Sequence, residues 1–234
     1  MRTSRAAGIA LVLAGAHGLA AAEPPLQRIG VQSLCVTNGT IRPLPDGRLA
    51  IDSASSRAIA RNATAQTAEI RFRYLGPSAG SKPLASGELR RQIGIKLRAQ
   101  DTCNLLYAMW HIEPDARIAV SLKRNPGQHT HAQCDAHGYR NIKPRHSSSL
   151  PPMSAGEAHR LRAALRGEAL TLAVDGAVVW EGDVGEQALE LDGPVGLRTD
   201  NARFELEFLA GAADPAAGAA PKAGSYRCEQ GIGD

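Results

Sequence analysis

The chain has 234 residues, a formal net charge of +4, 43% hydrophobic residues and only 4% aromatic ones. That length and apolar content fit one sandwich- or barrel-sized domain. The charge is too slight for a bulk polyanion binder, so nucleic acid is not an expected partner.

In chain order, Arg2 and Arg5 give a positive start and residues 8–16 form a short apolar stretch. Ala20-Ala21-Ala22 then precedes Glu23-Pro24-Pro25, so residues 1–22 read as a signal peptide cut after Ala22. The apolar stretch is too short to span a hydrocarbon core of about 30 Å, and no later segment is long and apolar enough. The expectation is a secreted or periplasmic protein with no membrane span in its mature chain. Losing Arg2 and Arg5 brings the mature chain closer to neutrality, so a preference for acidic partners has to come from local clustering.

Residues 23–209 read as one β-domain. Ile70, Phe72 and Tyr74 alternate with Arg71 and Arg73; Ile93, Ile95 and Leu97 alternate with Gln92, Lys96 and Arg98. Ile118, Val120 and Leu122 alternate with Arg117, Ser121 and Lys123, and Phe204, Leu206 and Phe208 with Arg203, Glu205 and Glu207. One wet and one buried face per strand is the mark of antiparallel sheets. Glu113-Pro114-Asp115, Asp175-Gly176 and Asp192-Gly193-Pro194 supply turns, the second as a two-residue hairpin that pairs Trp180 with Thr171. Residues 155–166 offer a helical alternative, but His159, Leu161, Ala163 and Leu165 alternate, and most of the segment reads as strand. Residues 125–152, rich in Pro, Gly, His and Ser, read as a long loop. Residues 210–234 read as an Ala/Gly/Pro linker and a tail tethered by a disulfide.

Four cysteines in an exported chain make disulfides the default and leave three connectivities. The favoured pairs are Cys35 with Cys228, tying the tail to the first strand, and Cys103 with Cys134, pinning the long loop.

The run His159-Arg160-Leu161, Leu170-Thr171-Leu172-Ala173-Val174-Asp175-Gly176, Gly193-Pro194-Val195-Gly196-Leu197-Arg198 and Phe204-Glu205-Leu206-Glu207-Phe208 resembles the C-terminal half of concanavalin A-like lectin/glucanase sandwiches. The nearest look is to the laminin-G-like and 3-keto-disaccharide-hydrolase-type branches. The resemblance lies in residues 158–209. It implies an all-β fold, a two-sheet antiparallel jelly-roll-like sandwich, and a polysaccharide or oligosaccharide partner.

Residues 88–124 read as a three-stranded meander whose wet face carries Arg90, Gln92, Lys96, Arg98, Tyr107, Met109, His111, Arg117, Ser121 and Lys123. Arginine grips carboxylate or sulfate at two points, so such a face suits an acidic glycan. The bland alternative is a solvated face of solubilising Arg and Lys. Residues 88–146 hold ten Lys/Arg against five Asp/Glu and also His111, His129, His131, His137 and His146, which tilts the balance toward a site. The glycan-contact candidates are Arg90, Gln92, Lys96, Arg98, Tyr107, His111, Lys123, His129 and His131.

Two other chemistries compete with this. His129, His131 and His137 could supply imidazoles to Zn²⁺ or Cu²⁺, but their spacing matches no standard structural zinc pattern, and neither a metal nor a cofactor is expected. Gly87-Glu88-Leu89-Arg90 faintly resembles the R-x-E-L-R strand of alginate-lyase-like enzymes, which implies His111 and Tyr139 as base and acid, with Tyr107 and Arg98 as further catalytic candidates. Ser86 replaces that motif's leading Arg, Met109-Trp110-His111 stands where Q-I-H would be, and there is no Y-F-K-A-G strand. Glu205 and Glu207 share a face, but the glucanase E-x-D-x-E strand is missing. Three functions follow: glycan binding, a lyase or glycosidase in the same cleft, and an envelope domain that binds another protein.

Overall fold

The computed structural model describes residues 25–61, 63, 65–150 and 152–211. The expected signal peptide, the tail and Cys228 of the Cys35–Cys228 pair lie outside them. The elements in order are β1 (Leu26–Arg28), β2 (Leu34–Asn38), β3 (Ile41–Pro43), β4 (Leu49–Ala60), β5 (Thr67–Pro77), β6 (Arg91–Leu97), β7 (Leu105–Glu113) and β8 (Arg117–Lys123). There follow α1 (His131–Cys134), β9 (Tyr139–Asn141), β10 (His146–Ser147), β11 (Ala158–Arg166), β12 (Ala169–Val174), β13 (Ala177–Asp183), α2 (Glu186–Leu189) and β14 (Gly196–Gly211).

Every strand pairing is antiparallel, and the fold is a two-sheet, jelly-roll-like sandwich of the concanavalin A type. The long strands β4 and β14 run through both sheets. The first part of β14, Gly196 to Asp200, sits between β4 and β6 in a front sheet that continues through β7, β8 and β9. From Ala202 onward β14 pairs with β5, in a back sheet that continues through β11, β12, β13 and β10. The crossing point is Asn201, in the left-handed region at φ 55°.

The apolar faces meet between the sheets. Ile93, Ile95, Leu106, Trp110 and Leu122 of the front sheet face Ile70, Phe72, Leu161, Leu172, Phe204 and Phe208 of the back, all buried in one cluster. Phe72 meets Trp110 and Phe204 edge-on at 5.7 and 5.6 Å, the geometry the ring quadrupoles favour. A fully buried side chain of this size stabilises by about 1.5–3 kcal/mol through its removal from water.

The segment with a helical alternative is strand β11, in register with both β5 and β12. The 125–152 loop carries α1, β9 and β10. Cys103 is bonded to Cys134, with Cα atoms 5.9 Å apart, so the foot of that loop is tied to the entrance of β7. The hairpin register differs from expectation. Trp180 pairs with Leu172, not Thr171, because the ladder slips between Leu172 and Ala173.

Candidate functional site

The outward side of the front sheet is a cleft of about 820 Å³, within the range of small-molecule sites. Side chains two apart on a strand share a face, so the ladder arranges the floor in rows. The first row runs Ser55, Asp200, Gln92, His111 and Arg117 across β4, β14, β6, β7 and β8. The second runs Arg57, Arg198, Gly94, Met109 and Ala119 across the same strands. The third includes Tyr107, Ser121 and Asn141.

The rows differ in height and chemistry. In the middle, Gly94 leaves room for Met109; a Cβ there would collide with the Met109 sulfur. Ala119 is equally short, so this row forms the bed of a trough. One bank is polar and cationic and ends at Arg117. The other is aromatic: Tyr107 and Tyr139 stack with centroids 6.0 Å apart and ring planes 25° from parallel. Arg198 lies 5.2 Å from the Tyr107 centroid, and Lys123 Nζ lies 5.2 Å from that of Tyr139.

A buried charge network anchors the floor. Asp200 has no exposed surface. Its carboxylate accepts hydrogen bonds from Arg198 Nε at 2.7 Å, Gln92 Nε2 at 2.6 Å and Ser55 Oγ at 3.2 Å. Arg57 stands 3.7 Å away and donates to Ser55 Oγ. Burial alone would raise the Asp200 pKa, but Arg198, Arg57 and the donated hydrogen bonds outweigh it and hold the carboxyl below its ordinary value. Burial likewise works against the Arg198 charge, and the Asp200 carboxylate and nearby tyrosines more than restore it.

His111 occupies the polar bank with 4% of its surface exposed, and its Nδ1 has no hydrogen-bond partner among the described residues. Burial, then the repulsion of Arg90 and Arg117, depress its pKa to about 3 against the opposing pull of Glu88. The imidazole is therefore neutral at physiological pH, with a buried polar atom unsatisfied.

Two loops wall the trough. Residues 82–86, from the connection between β5 and β6, stand on the His111 side. His131, Asp135 and Ala136 stand on the other, from α1 and the turn after it. The Cys103–Cys134 bond fixes that turn, and the Asp135 carbonyl accepts from Lys123 Nζ at 2.7 Å.

Of the candidates, Arg90, Gln92, Tyr107, His111, His131 and Tyr139 line the cleft together. Four others stand elsewhere. Alternation would put Arg98 on the face, but its backbone turns to φ 49°, and its guanidinium donates to the carbonyls of Leu191 and Leu189 at 2.7 and 2.6 Å. Lys96 is fully buried, outside the lining, and Lys123 is 2% exposed and committed to the Asp135 carbonyl and the Tyr139 ring. His129 points away to Asp101, at 2.8 Å. Among the described residues, no group of three or more His, Cys, Asp or Glu is placed to hold a metal ion. Trp110 and Trp180 are both core residues, and Trp180 also contributes to the cleft lining.

The residues that sequence reasoning passed over are Ser55, Arg57, Arg198 and Asp200. Their strands read only as architecture, and nothing local brings β4 and β14 beside the meander. An Arg-x-Asp pair two apart on one strand face was the available signal.

No protein-family model and no curated protein matches the chain. Solved structures share its fold. The carbohydrate-binding module CBM66 from Bacillus subtilis superposes with a TM-score of 0.54 at 14% identity, covering 74% of this chain and 91% of that one. The Emp46p carbohydrate recognition domain gives 0.49 at 12% identity, over 79% and 90% of the two chains. The non-specific endo-β-1,3(4)-glucanase SCLam, of family GH16, gives 0.43 at 11%, over 73% of each. At 14% identity the likeness to CBM66 is one of fold.

Proposed function

We propose that the chain is an exported glycan-binding module whose front-sheet trough holds an acidic saccharide. One observation carries the reading: a trough with tyrosines on one bank and, on the other, buried His111 with an unsatisfied nitrogen between Arg90 and Arg117. A pyranose presents an apolar face and a polar rim, and a trough with one aromatic and one polar bank complements both. A carboxylate or sulfate on that rim meets the arginines and offers an acceptor to the imidazole. The lining is cationic in composition, with Arg57, Lys82, Arg90, Arg117 and Arg198 against Asp135 and Asp200. Arg57 and Arg198 are occupied by Asp200, and Arg90 by Glu88, so Lys82 and Arg117 are the cations more open to a ligand: Lys82 is exposed at the rim, and Arg117, with Asp115 3.5 Å away, has 47% of its side chain exposed beside His111. The fold supports the reading too, since CBM66 is by its name a carbohydrate-binding module.

A second reading is favoured by the neutral state of His111. An imidazole kept deprotonated, with Gln92 and Arg117 as row neighbours and Tyr139 on the opposite bank, is the equipment of a uronate lyase: a cation to neutralise the carboxylate, a base for the α-proton and a phenol for the leaving oxygen.

The test is calorimetric titration of residues 23–234 with neutral and uronic-acid oligosaccharides, with the ultraviolet absorbance of unsaturated product followed in parallel. Saturable binding without product, weakened by Arg117→Ala and Tyr139→Ala, sustains the binding module. Product that vanishes in His111→Ala moves the protein to the lyase reading. No binding and no product across the panel overturns both.

A further inference from the structure

The wall beside His111 is held by a residue that does not line the cleft. Asn201 stands where β14 leaves β6 for β5, the point from which the 78–90 connection between those two strands departs and returns. Its φ of 55° is one that Asn accepts more readily than most residues, and its surface is fully buried. The side-chain Oδ1 accepts from Lys82 N–H at 2.7 Å, while Nδ2 donates to the Lys82 carbonyl at 2.8 Å and the Arg90 carbonyl at 3.0 Å. The Asn201 backbone carbonyl also accepts from Ser78 N–H at 3.1 Å. A single amide thus joins both ends of the loop: Lys82 on the way out and Arg90 on the way back.

Between those ends the loop has two backbone hydrogen bonds of its own, Leu84 N–H to the Glu88 carbonyl at 2.9 Å and Gly87 N–H to the Leu84 carbonyl at 2.8 Å. These make a small turn whose leading side, residues 82–86, faces the trough. A Cβ on Gly80 or Gly87 would find no atom within 4 Å, so the loop is not wedged in place by packing at those points. At its base the clasp is joined by one further tie, Ala79 N–H donating to Asp52 Oδ1 at 3.2 Å, and the clasp alone binds both the outgoing and the returning end. Arg90 is tied in the same way, because its carbonyl is held by Asn201 while its guanidinium approaches His111 and pairs with Glu88.

We propose that Asn201 is the positioning residue of the cleft, a buried clasp that sets the 82–90 wall and, through the wall and Arg90, the affinity for the saccharide. The proposal rests on the glycan-binding reading for its affinity arm only. The chemistry requires asparagine: aspartate loses both donated bonds and turns a carboxylate toward two carbonyls, whereas glycine keeps the backbone angle and loses the clasp.

The experiment compares the full mature chain with Asn201→Gly and Asn201→Asp, reading amide hydrogen exchange and saccharide affinity together. With the clasp gone, the Leu84 and Gly87 amides should exchange at least about tenfold faster, because the loop opens locally, while the Trp110 and Ile95 amides of the sheet keep wild-type protection. Affinity for the uronic-acid probe should fall about tenfold in both variants. When residues 83–88 are replaced by two glycines, Asn201→Gly should weaken binding no further, because there is no wall left to position. Unchanged exchange at Leu84 and Gly87 overturns the clasp. An equal affinity loss in the shortened-loop background overturns the positioning role and makes Asn201 a structural residue only. If wild type binds no saccharide, the glycan reading fails by itself, and the exchange data still decide whether the clasp exists.

Discussion

Asp200→Asn tests the floor of the cleft with the smallest change of shape. In the wild type, Asp200 Oδ2 receives both Arg198 Nε and Gln92 Nε2, and Oδ1 receives Ser55 Oγ. The amide can keep its oxygen toward Arg198 and Gln92 and turn its NH₂ toward Ser55, whose hydroxyl can rotate to accept. Hydrogen bonding therefore survives largely intact, and the loss is one of charge. The guanidiniums of Arg198 and Arg57, with only 12% and 10% of their side chains exposed, lose the carboxylate that offsets their burial. Removing one partner of a buried ion pair costs about 3–5 kcal/mol, a large share of a typical total of about 5–15 kcal/mol. At about 2–4 °C per kcal/mol for a domain of this size, the melting temperature should fall by roughly 10 °C. The pH dependence carries a second signature. The folded-state carboxyl is held below its ordinary value, so its contribution is fully present above the unfolded pKa of about 3.9 and is lost as pH falls through the lower folded value. Urea unfolding at neutral pH and down an acid series reads both. A loss below about 1 kcal/mol at neutral pH, or an acid limb as steep in Asp200→Asn as in wild type, would refute the account of Asp200 as counter-ion to two buried arginines.

Three further outcomes are expected. Arg98→Ala should lower stability by about 1–3 kcal/mol, because two charge-assisted bonds to the Leu189 and Leu191 carbonyls disappear, and should leave saccharide affinity unchanged; paired unfolding and titration experiments separate the effects. His111, depressed to about 3 when folded, binds its proton in the unfolded chain first, so stability should fall as pH drops from about 6.5 toward 3, and His111→Gln should flatten that slope. Replacing Cys103 and Cys134 by serine together should cost about 3.5–4 kcal/mol for a sequence separation of 31 residues, and should weaken saccharide binding by freeing the wall that carries His131 and Asp135.

The fold was legible wherever alternation was clean. Ile93, Ile95, Trp110 and Leu122 are where a two-residue period puts apolar side chains, and the same period sets Gln92, Tyr107 and His111 on the opposite face. Alternation fails at strand ends, because it knows nothing of backbone angle: Arg98 leaves the face through one left-handed residue. It also says nothing of what lies over a face, so Lys96 and Lys123 read as wet although both are buried, Lys123 against the Asp135 carbonyl and the Tyr139 ring of the long loop. The Ser55–Arg57 and Arg198–Asp200 half of the floor was illegible for a different reason. Those residues reach the meander only through the pairing of β14 with β4 and β6, a contact between segments far apart in sequence.

In the proposed function, the trough reads an acid group on a sugar at the Arg90–His111–Arg117 end. Its most direct test pairs one uronic-acid oligosaccharide with its carboxyl-reduced counterpart, identical in linkage and length, titrated into the same protein. The acidic oligomer should bind saturably, the reduced one at least about tenfold more weakly, and the gap should close in Arg117→Ala. Equal affinity for the two oligomers in wild type, or a gap that persists undiminished in Arg117→Ala, would contradict that reading.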